Sequence, residues 1–445
     1  MKKFQIAYLP IGVPTFHLES AQIEFEKSID LIKSITEDCV FPSEMLLSID
    51  KVTEFLQDKN PNLIIVQNIT FANSAYVSEI VKKTNGNILL WTLREPVIDG
   101  GRLRLNSLTG AFSAGNAMKK LGISSFEYVF GGAEENSVKE TLESAIKASK
   151  VKFDLTNLKI SAIGHTPQGF GFGRATDAEL QKYFGVTLES IEARELIDKA
   201  KSYNDEECQD YADKFASCCC GFSELPEKNI NDFYRLLKAY HDYVTQNKIG
   251  AISSRCWPDF FVSYGTPVCG VLSMLNDMGV YSSCEADTFG ALSMFIGGKL
   301  TQEATFFGDP VSIDESENTI TFWHCGMAPC SLASGEKANI GVHPNRKIGP
   351  VMDFGCKKCD SATVFRVSKD ENDNFRFFIS SGEILPKEKQ FQGTSIVVKM
   401  KNNCKDIIEN AVKAGFEPHY VVCYGDIQKE LTILANMLNI PVCIY

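Results

Sequence analysis

Two carboxylates and two histidines stand where the sequence makes chemistry possible. Glu285 directly follows a strand-like run at 280–284, in Ser-Ser-Cys-Glu-Ala-Asp-Thr-Phe-Gly. Asp309 follows Phe306 and Phe307 in Phe-Phe-Gly-Asp-Pro. His324 ends the apolar run 319–323, and His419 lies between Pro418 and the strand-like run 420–424. An unpaired ionised carboxylate is costly in apolar surroundings. Either a divalent cation offsets that cost, or a neighbouring base such as Arg255 or Lys299 does. A pair of carboxylates with one or two imidazoles is an oxygen-rich donor set, better suited to Mn2+ or Mg2+ than to structural zinc. His241, between Tyr240 and Tyr243 in a long helical pattern, reads as a surface or packing residue.

Other motifs point to less. No G-x-x-x-x-G-K-[ST] loop is present, which excludes a P-loop nucleotide site at the level of motif. Gly169, Gly171 and Gly173 form a turn after the strand-like run 159–163, without dinucleotide spacing, so no nucleotide cofactor is expected. The simplest reading is a flexible loop at the carboxyl edge of a sheet, where it is placed to line a pocket. Cys356-Lys-Lys-Cys359 lacks the second pair that a structural zinc site needs and reads as solvent-facing turn cysteines. The adjacent Cys218, Cys219 and Cys220 read as helix or loop packing.

The elements that must position these residues follow from hydrophobic periodicity. Strands at 4–9, 63–66, 88–93 and 127–130 alternate with helical patterns beginning near Ala21 and at 74–83, 111–121 and 137–149. Continuous apolar strands separated by helices indicate a doubly wound parallel sheet. The alternation restarts with a strand at 159–163, helices at 177–183, 191–202 and 229–246, a strand at 250–253, a helix at 270–278, the strand at 280–284 and a helix at 288–296. After about Asp309, short β-rich runs at 319–323, 362–367, 375–380 and 394–400 suggest a small antiparallel barrel or sandwich. A helix at 427–438 and a strand at 442–445 close the chain. The expected organisation is an N-terminal α/β domain over 1–155, a second α/β domain carrying the carboxylates over 156–310, and a β-rich domain over 311–445.

Composition sets outer limits. The chain has 445 residues, 44% hydrophobic and 23% charged, which supports a globular core. The net charge of −11 argues against a broad nucleic-acid footprint. No apolar run reaches the ~20 residues of a membrane-spanning helix. The N-terminus reads as a first strand and not as a signal peptide, because its apolar stretch is short and contains Gln5. Fifteen cysteines, an odd number that includes an adjacent triplet, fit reduced thiols in a cytoplasm.

An ordered set of short motifs resembles the L-fucose/L-arabinose isomerase superfamily. They are Ser254-Arg-Cys-Trp-Pro-Asp-Phe, Val268-Cys-Gly-Val-Leu-Ser-Met-Leu, Cys284-Glu-Ala-Asp, Phe307-Gly-Asp, Trp323-His-Cys-Gly, Ser381-Gly-Glu and Pro418-His-Tyr. The resemblance implies two α/β domains, a C-terminal β-rich domain, and an aldose–ketose isomerase that uses Mn2+, or Mg2+ or Co2+, on a sugar. Glu285 and Asp309 match the acidic metal ligands, and His419 the C-terminal histidine ligand. His324 matches a histidine of the arabinose branch, as ligand or sugar contact, and Trp257 joins the sugar-binding candidates. Pro-His-Tyr and Gly-Asp lean towards the fucose-like side.

Aldose–ketose isomerisation moves a proton between adjacent carbons through a cis-enediolate, with two carboxylates as base and acid and a divalent ion as Lewis acid. Glu285 and Asp309 would fill the catalytic roles. The resemblance also implies a homotrimer or homohexamer in which the first domain helps to close a neighbour's site. Arg94, Arg102, Arg104, Asn106 and Ser107 are then candidates for the sugar's far end. Such a cluster suits a phosphate or sulfonate, although Arg94 and Glu95 could simply pair. The alternative is a non-catalytic sugar-binding or regulatory protein of the same fold.

Overall fold

The computed structural model describes residues 3–445, which divide into two compact units. The first comprises the chain up to Phe153 together with Lys429–Asn439. Its parallel sheet contains β1 (Ile6–Ile11), β2 (Cys39–Val40), β3 (Leu63–Asn68), β4 (Asn87–Thr92) and β5 (Glu127–Phe130), in the order β2-β1-β3-β4-β5. Strands β1 and β3 are buried along their whole length, as continuous apolar runs require when helices cover both faces. The closing helix Gln428–Leu438 packs within this unit: Ser144 donates to Glu430 at 2.9 Å, and the Lys152 ammonium to the Met437 carbonyl at 2.6 Å.

The second unit carries, in chain order, β6 (Lys159–Ile163), β7 (Thr187–Ile191), β8 (Cys219–Cys220), β9 (Ala251–Ser254) and β10 (Tyr281–Cys284). There follow β11 (Phe306–Asp314), β12 (Thr319–His324), β13 (Ala338–Gly341), β14 (Val351–Met352), β15 (Cys359–Lys369), β16 (Phe375–Ile384), β17 (Thr394–Met400), β18 (Tyr420–Tyr424) and β19 (Val442–Ile444). A parallel sheet runs β10-β9-β6-β7. An antiparallel sheet runs β15-β18-β11-β12-β17-β16 and closes through β15–β16 pairing, so six strands form a barrel with β19 appended in parallel to β16. The expected fold class, two parallel-sheet α/β layers and an antiparallel barrel, is what the chain adopts. Strand β7 has no counterpart in the sequence reading because its residues, Thr-Leu-Glu-Ser-Ile, lie at the sheet edge without a continuous apolar run. Strand β11 begins ahead of the expected boundary near 310, so Asp309 stands on a barrel strand. No helix among the described residues is long and apolar enough to cross a membrane.

Candidate active site

Glu285 owes its direction to an unusual turn. β10 ends at Cys284, and the next two residues, Glu285 and Ala286, both take left-handed backbone, with φ of 57° and 55°. Neither is glycine, and such a conformation costs on the order of 1–3 kcal/mol per residue. Bonds from the Ala286 amide to the Ser254 carbonyl (3.0 Å) and from the Asp287 amide to the Cys284 carbonyl (3.2 Å) hold it. Asp287 then caps the buried helix Thr288–Thr301, accepting from the Gly290 amide at 2.9 Å.

Barrel register supplies the other groups. β11 and β18 are antiparallel, with Gly308 opposite Tyr420, so Asp309, within β11, falls opposite His419, which immediately precedes β18. On the other side of β11, Asp309 pairs with Trp323, the residue before His324. Gly308 is required here, since a Cβ would lie 2.5 Å from the Trp323 carbonyl oxygen. The result is a convergence of side chains drawn from a span of more than a hundred residues. His419 Nε2 is 3.0 Å from Glu285 Oε2 and 3.5 Å from Asp309 Oδ1. Ligand atoms of Glu285, His324 and His419 lie within 4.8 Å of one another.

A buried ionic chain fixes His419 from behind. Its Nδ1 is 2.9 Å from Asp287 Oδ2, and Asp287 is held in turn by the Arg366 guanidinium, with Nη2 to Oδ1 at 3.1 Å. Arg366 is fully buried in β15, with a second carboxylate, Glu417, 3.9 Å from its Nε. Burial pushes the Asp287 pKa up, but Arg366 and His419 overcome this and hold it well below the usual carboxylate range. Burial lowers the His419 pKa, yet the surrounding carboxylates win and raise it to about 10. Glu285 ends below its ordinary value, its burial outweighed by the His419 hydrogen bond and by His324. Burial dominates at Asp309 and raises it.

The two histidines present opposite tautomers, assigned from their partners. His419 donates Nδ1–H to Asp287, so in the neutral ring the Nε2 lone pair faces Glu285 and Asp309. This is the carboxylate–histidine arrangement that orients metal ligands. His324 is reversed: its Nδ1 accepts from the Cys325 amide at 3.0 Å, so the proton resides on Nε2. His419 can therefore offer a lone pair, and His324 a proton.

The glycine loop lies against this site. Phe170 and Phe172 pack against His419, tilted and edge-on, with ring centroids 6.2 and 5.4 Å away, and Phe307 closes from the barrel at 4.8 Å. Gly173 is irreplaceable by steric measure, because a Cβ would meet the Asp287 Cα at 2.7 Å. Beside Ala286 opens a cleft of about 440 Å³ at the carboxyl ends of β6 and β7, lined in part by His165, Thr166, Arg174 and Glu192. Arg174 donates to Thr166 Oγ1 at 3.0 Å and has no carboxylate partner among the described residues. Trp257, just past β9, is half-buried; its carbonyl accepts from Arg255 at 3.0 Å, and Arg346 lies over its ring at 5.8 Å.

The remaining candidates belong to the first unit. Arg94 pairs in bidentate fashion with Glu135 (2.7 and 2.9 Å), not with Glu95, because Glu95 is occupied by the amides of Arg104, Leu105 and Asn106. Arg104 pairs with Asp99 at 2.8 Å, and Arg102 donates to the Thr15 carbonyl. Ser107 is buried, its hydroxyl accepting from the Leu93 amide and donating to the Asn68 carbonyl. Neither Arg255, paired with Asp259 at 3.0 Å, nor Lys299, over the Phe295 ring, pairs with Glu285 or Asp309. Cys356 is buried, not solvent-facing, because its amide is tied to the Ser395 carbonyl beside the barrel. Sequence reasoning missed Arg366 and the role of Asp287. A lone arginine inside Ala-Thr-Val-Phe-Arg-Val-Ser was the available signal, since a buried charge demands a partner.

Comparison with known proteins adds independent findings. The family profile for the L-fucose isomerase C-terminal domain matches residues 352–445. Over the full length of both chains, the sequence is 57% identical to a sulfoquinovose isomerase of Clostridium sp. (strain MSTE9). It is 35% identical, again over both full lengths, to a sulfoquinovose isomerase of Priestia aryabhattai. A sulfoquinovose isomerase of Alkalicoccus urumqiensis is 32% identical over 98% of each chain.

Proposed function

The chain belongs to the family of fucose-isomerase-like aldose–ketose isomerases that includes the sulfoquinovose isomerases, and from that membership we propose that it converts a sulfonated aldohexose of the sulfoquinovose kind into its ketose. The observation that carries the reading is the placement of His419 Nε2 between Glu285 and Asp309, with Nδ1 locked by Asp287. Two carboxylates and one imidazole lone pair form a donor set that fits a hard or borderline divalent ion, Mn2+ first and Mg2+ or Co2+ next. Glu285, Asp309 and His419 would hold it. When bound, such an ion supplies Lewis-acid stabilisation of negative charge developing on the sugar's O1 and O2.

The chain's own groups then divide the work. Glu285 and Asp309, both beside His419 Nε2, serve as base and acid for the proton that moves between C1 and C2. The Nε2–H of His324 donates a hydrogen bond to a sugar oxygen. Phe170, Phe172 and Phe307 keep water from the reacting carbons, which strengthens every charge interaction there. The cleft beside Ala286 has the volume of a small-ligand site. Arg174 is the cation proposed to meet the sulfonate, as a planar guanidinium suits such an anion.

We also propose a homotrimer or homohexamer working in the cytoplasm, with the first unit contributing Arg102 to a neighbour's sugar. Exposed apolar side chains close to that arginine in sequence support assembly: Ile98 is 94% exposed and Phe112 76%.

The direct test is Glu285→Gln, which keeps shape and removes the charge. Ketose formation should fall by at least about 10³-fold, with the folded far-UV spectrum unchanged. Full turnover by that variant would remove Glu285 from the mechanism.

A further inference from the structure

A second set of ligands, unrelated to the sugar site, lies elsewhere in the second unit. Cys218 ends the helix Gln209–Cys218, Cys219 opens β8, Cys330 begins a short helical turn, and Met274 projects from the buried helix Cys269–Asp277. Their sulfurs meet. Cys218 and Cys219 are 3.7 Å apart, Cys219 and Cys330 3.4 Å, Cys330 and Met274 3.6 Å, and Cys218 and Met274 4.0 Å. The three thiol sulfurs all lie within 4.8 Å of one another. A fifth sulfur, that of Met352, is 3.7 Å from Cys330.

These separations have a chemical meaning. Four sulfurs bound at about 2.3 Å from one ion at tetrahedral corners stand about 3.8 Å apart, and the four separations above, 3.4 to 4.0 Å, bracket that value. Cys219, Cys330, Met274 and Met352 are buried, so the cage is closed on most sides. Cys218 is partly exposed and supplies an entry path. Three thiols with two thioethers make a wholly soft donor set, which selects Cu(I) over the harder divalent ions.

We propose that Cys218, Cys219, Cys330 and Met274 form a binding site for a soft monovalent cation, Cu(I), independent of the isomerase centre. The thiols lose their protons on binding, and no electron transfer is involved. A second thiol group, Cys269, Cys325 and His343, contains an imidazole and lacks the thioethers, which makes it the internal comparison.

The test uses the full chain, purified without oxygen and titrated with Cu(I) alone against a chromogenic Cu(I) chelator. The wild type should withdraw one equivalent more than Cys219→Ser/Cys330→Ser. Met274→Leu, which keeps the core filled, should weaken that equivalent by at least about tenfold while leaving sugar isomerisation unchanged. If the double variant fails to fold, Met274→Leu decides alone. Equal uptake by wild type and the folded double variant, no effect of Met274→Leu, or a Cys219–Cys330 disulfide in the anaerobic protein would each overturn the assignment.

Discussion

At the scale of single residues, the direction of a proton on each histidine separates two roles that composition cannot. In its neutral form His419 points a lone pair at Glu285 and Asp309, whereas His324 points a proton. His419→Gln should therefore abolish tight divalent-ion binding. His324→Gln should retain the ion and lose about 10²-fold or more in kcat, as removal of a positioned proton donor does; calorimetric titration with Mn2+ and kinetics on the same samples check both. Arg366 is a structural counterpart, because removing it leaves Asp287 buried and unpaired. Arg366→Met should cost about 3–5 kcal/mol of stability at neutral pH. The sign with pH follows from Asp287: its folded pKa lies below the unfolded one, so its stabilisation is present above the unfolded value and lost as pH falls through the folded value. The difference between wild type and variant should narrow in acid, measured by denaturant titration at pH 7 and near pH 3. A constant difference across that range would place the effect in packing alone.

At the scale of elements, the site is made by two strand ends and one strained turn. The parallel strands were legible from short, mostly apolar runs between helical patterns, as at the start of Leu63–Asn68. An antiparallel barrel or sandwich was legible from short β-rich runs such as Thr394–Met400, set off by turn residues. The sequence also marked His324 and His419 at element ends, with Glu285 and Asp309 each just behind an apolar run, and the fold brings these four together. Barrel closure was not legible, since β15–β16 pairing and the opposition of Asp309 to His419 depend on register between distant strands. Nor was the left-handed pair Glu285–Ala286, whose side chains give no hint of positive φ. The glycine loop shows the same limit. It reads as a flexible turn, yet Gly173 is fixed by its approach to Asp287. Gly173→Ala should displace Asp287 and lower kcat by about tenfold or more, with little change in KM, because a small shift of a positioned group is felt at the chemistry. Unchanged kcat would mean that the loop yields without moving Asp287.

At the scale of the whole molecule, apolar surface and net charge bear on assembly. Val97, Ile98, Leu103, Leu108 and Phe112 are all exposed in the first unit, a concentration of bare apolar side chains within one short stretch of chain. In the proposed oligomer, Ile98→Glu with Phe112→Asp should shift the mass seen by light scattering towards the monomer; an unaltered mass would exclude this stretch as the contact. The proposed isomerase centre depends most on one cation shared by Glu285, Asp309 and His419. Its most direct measurement is Mn2+ binding to metal-stripped protein, followed by electron paramagnetic resonance alongside ketose formation from a sulfonated aldohexose. One ion per chain should bind in the wild type and in His324→Gln, turnover of the wild type should return with that ion, and neither should occur in His419→Gln. Tight binding and full turnover in His419→Gln would contradict the account.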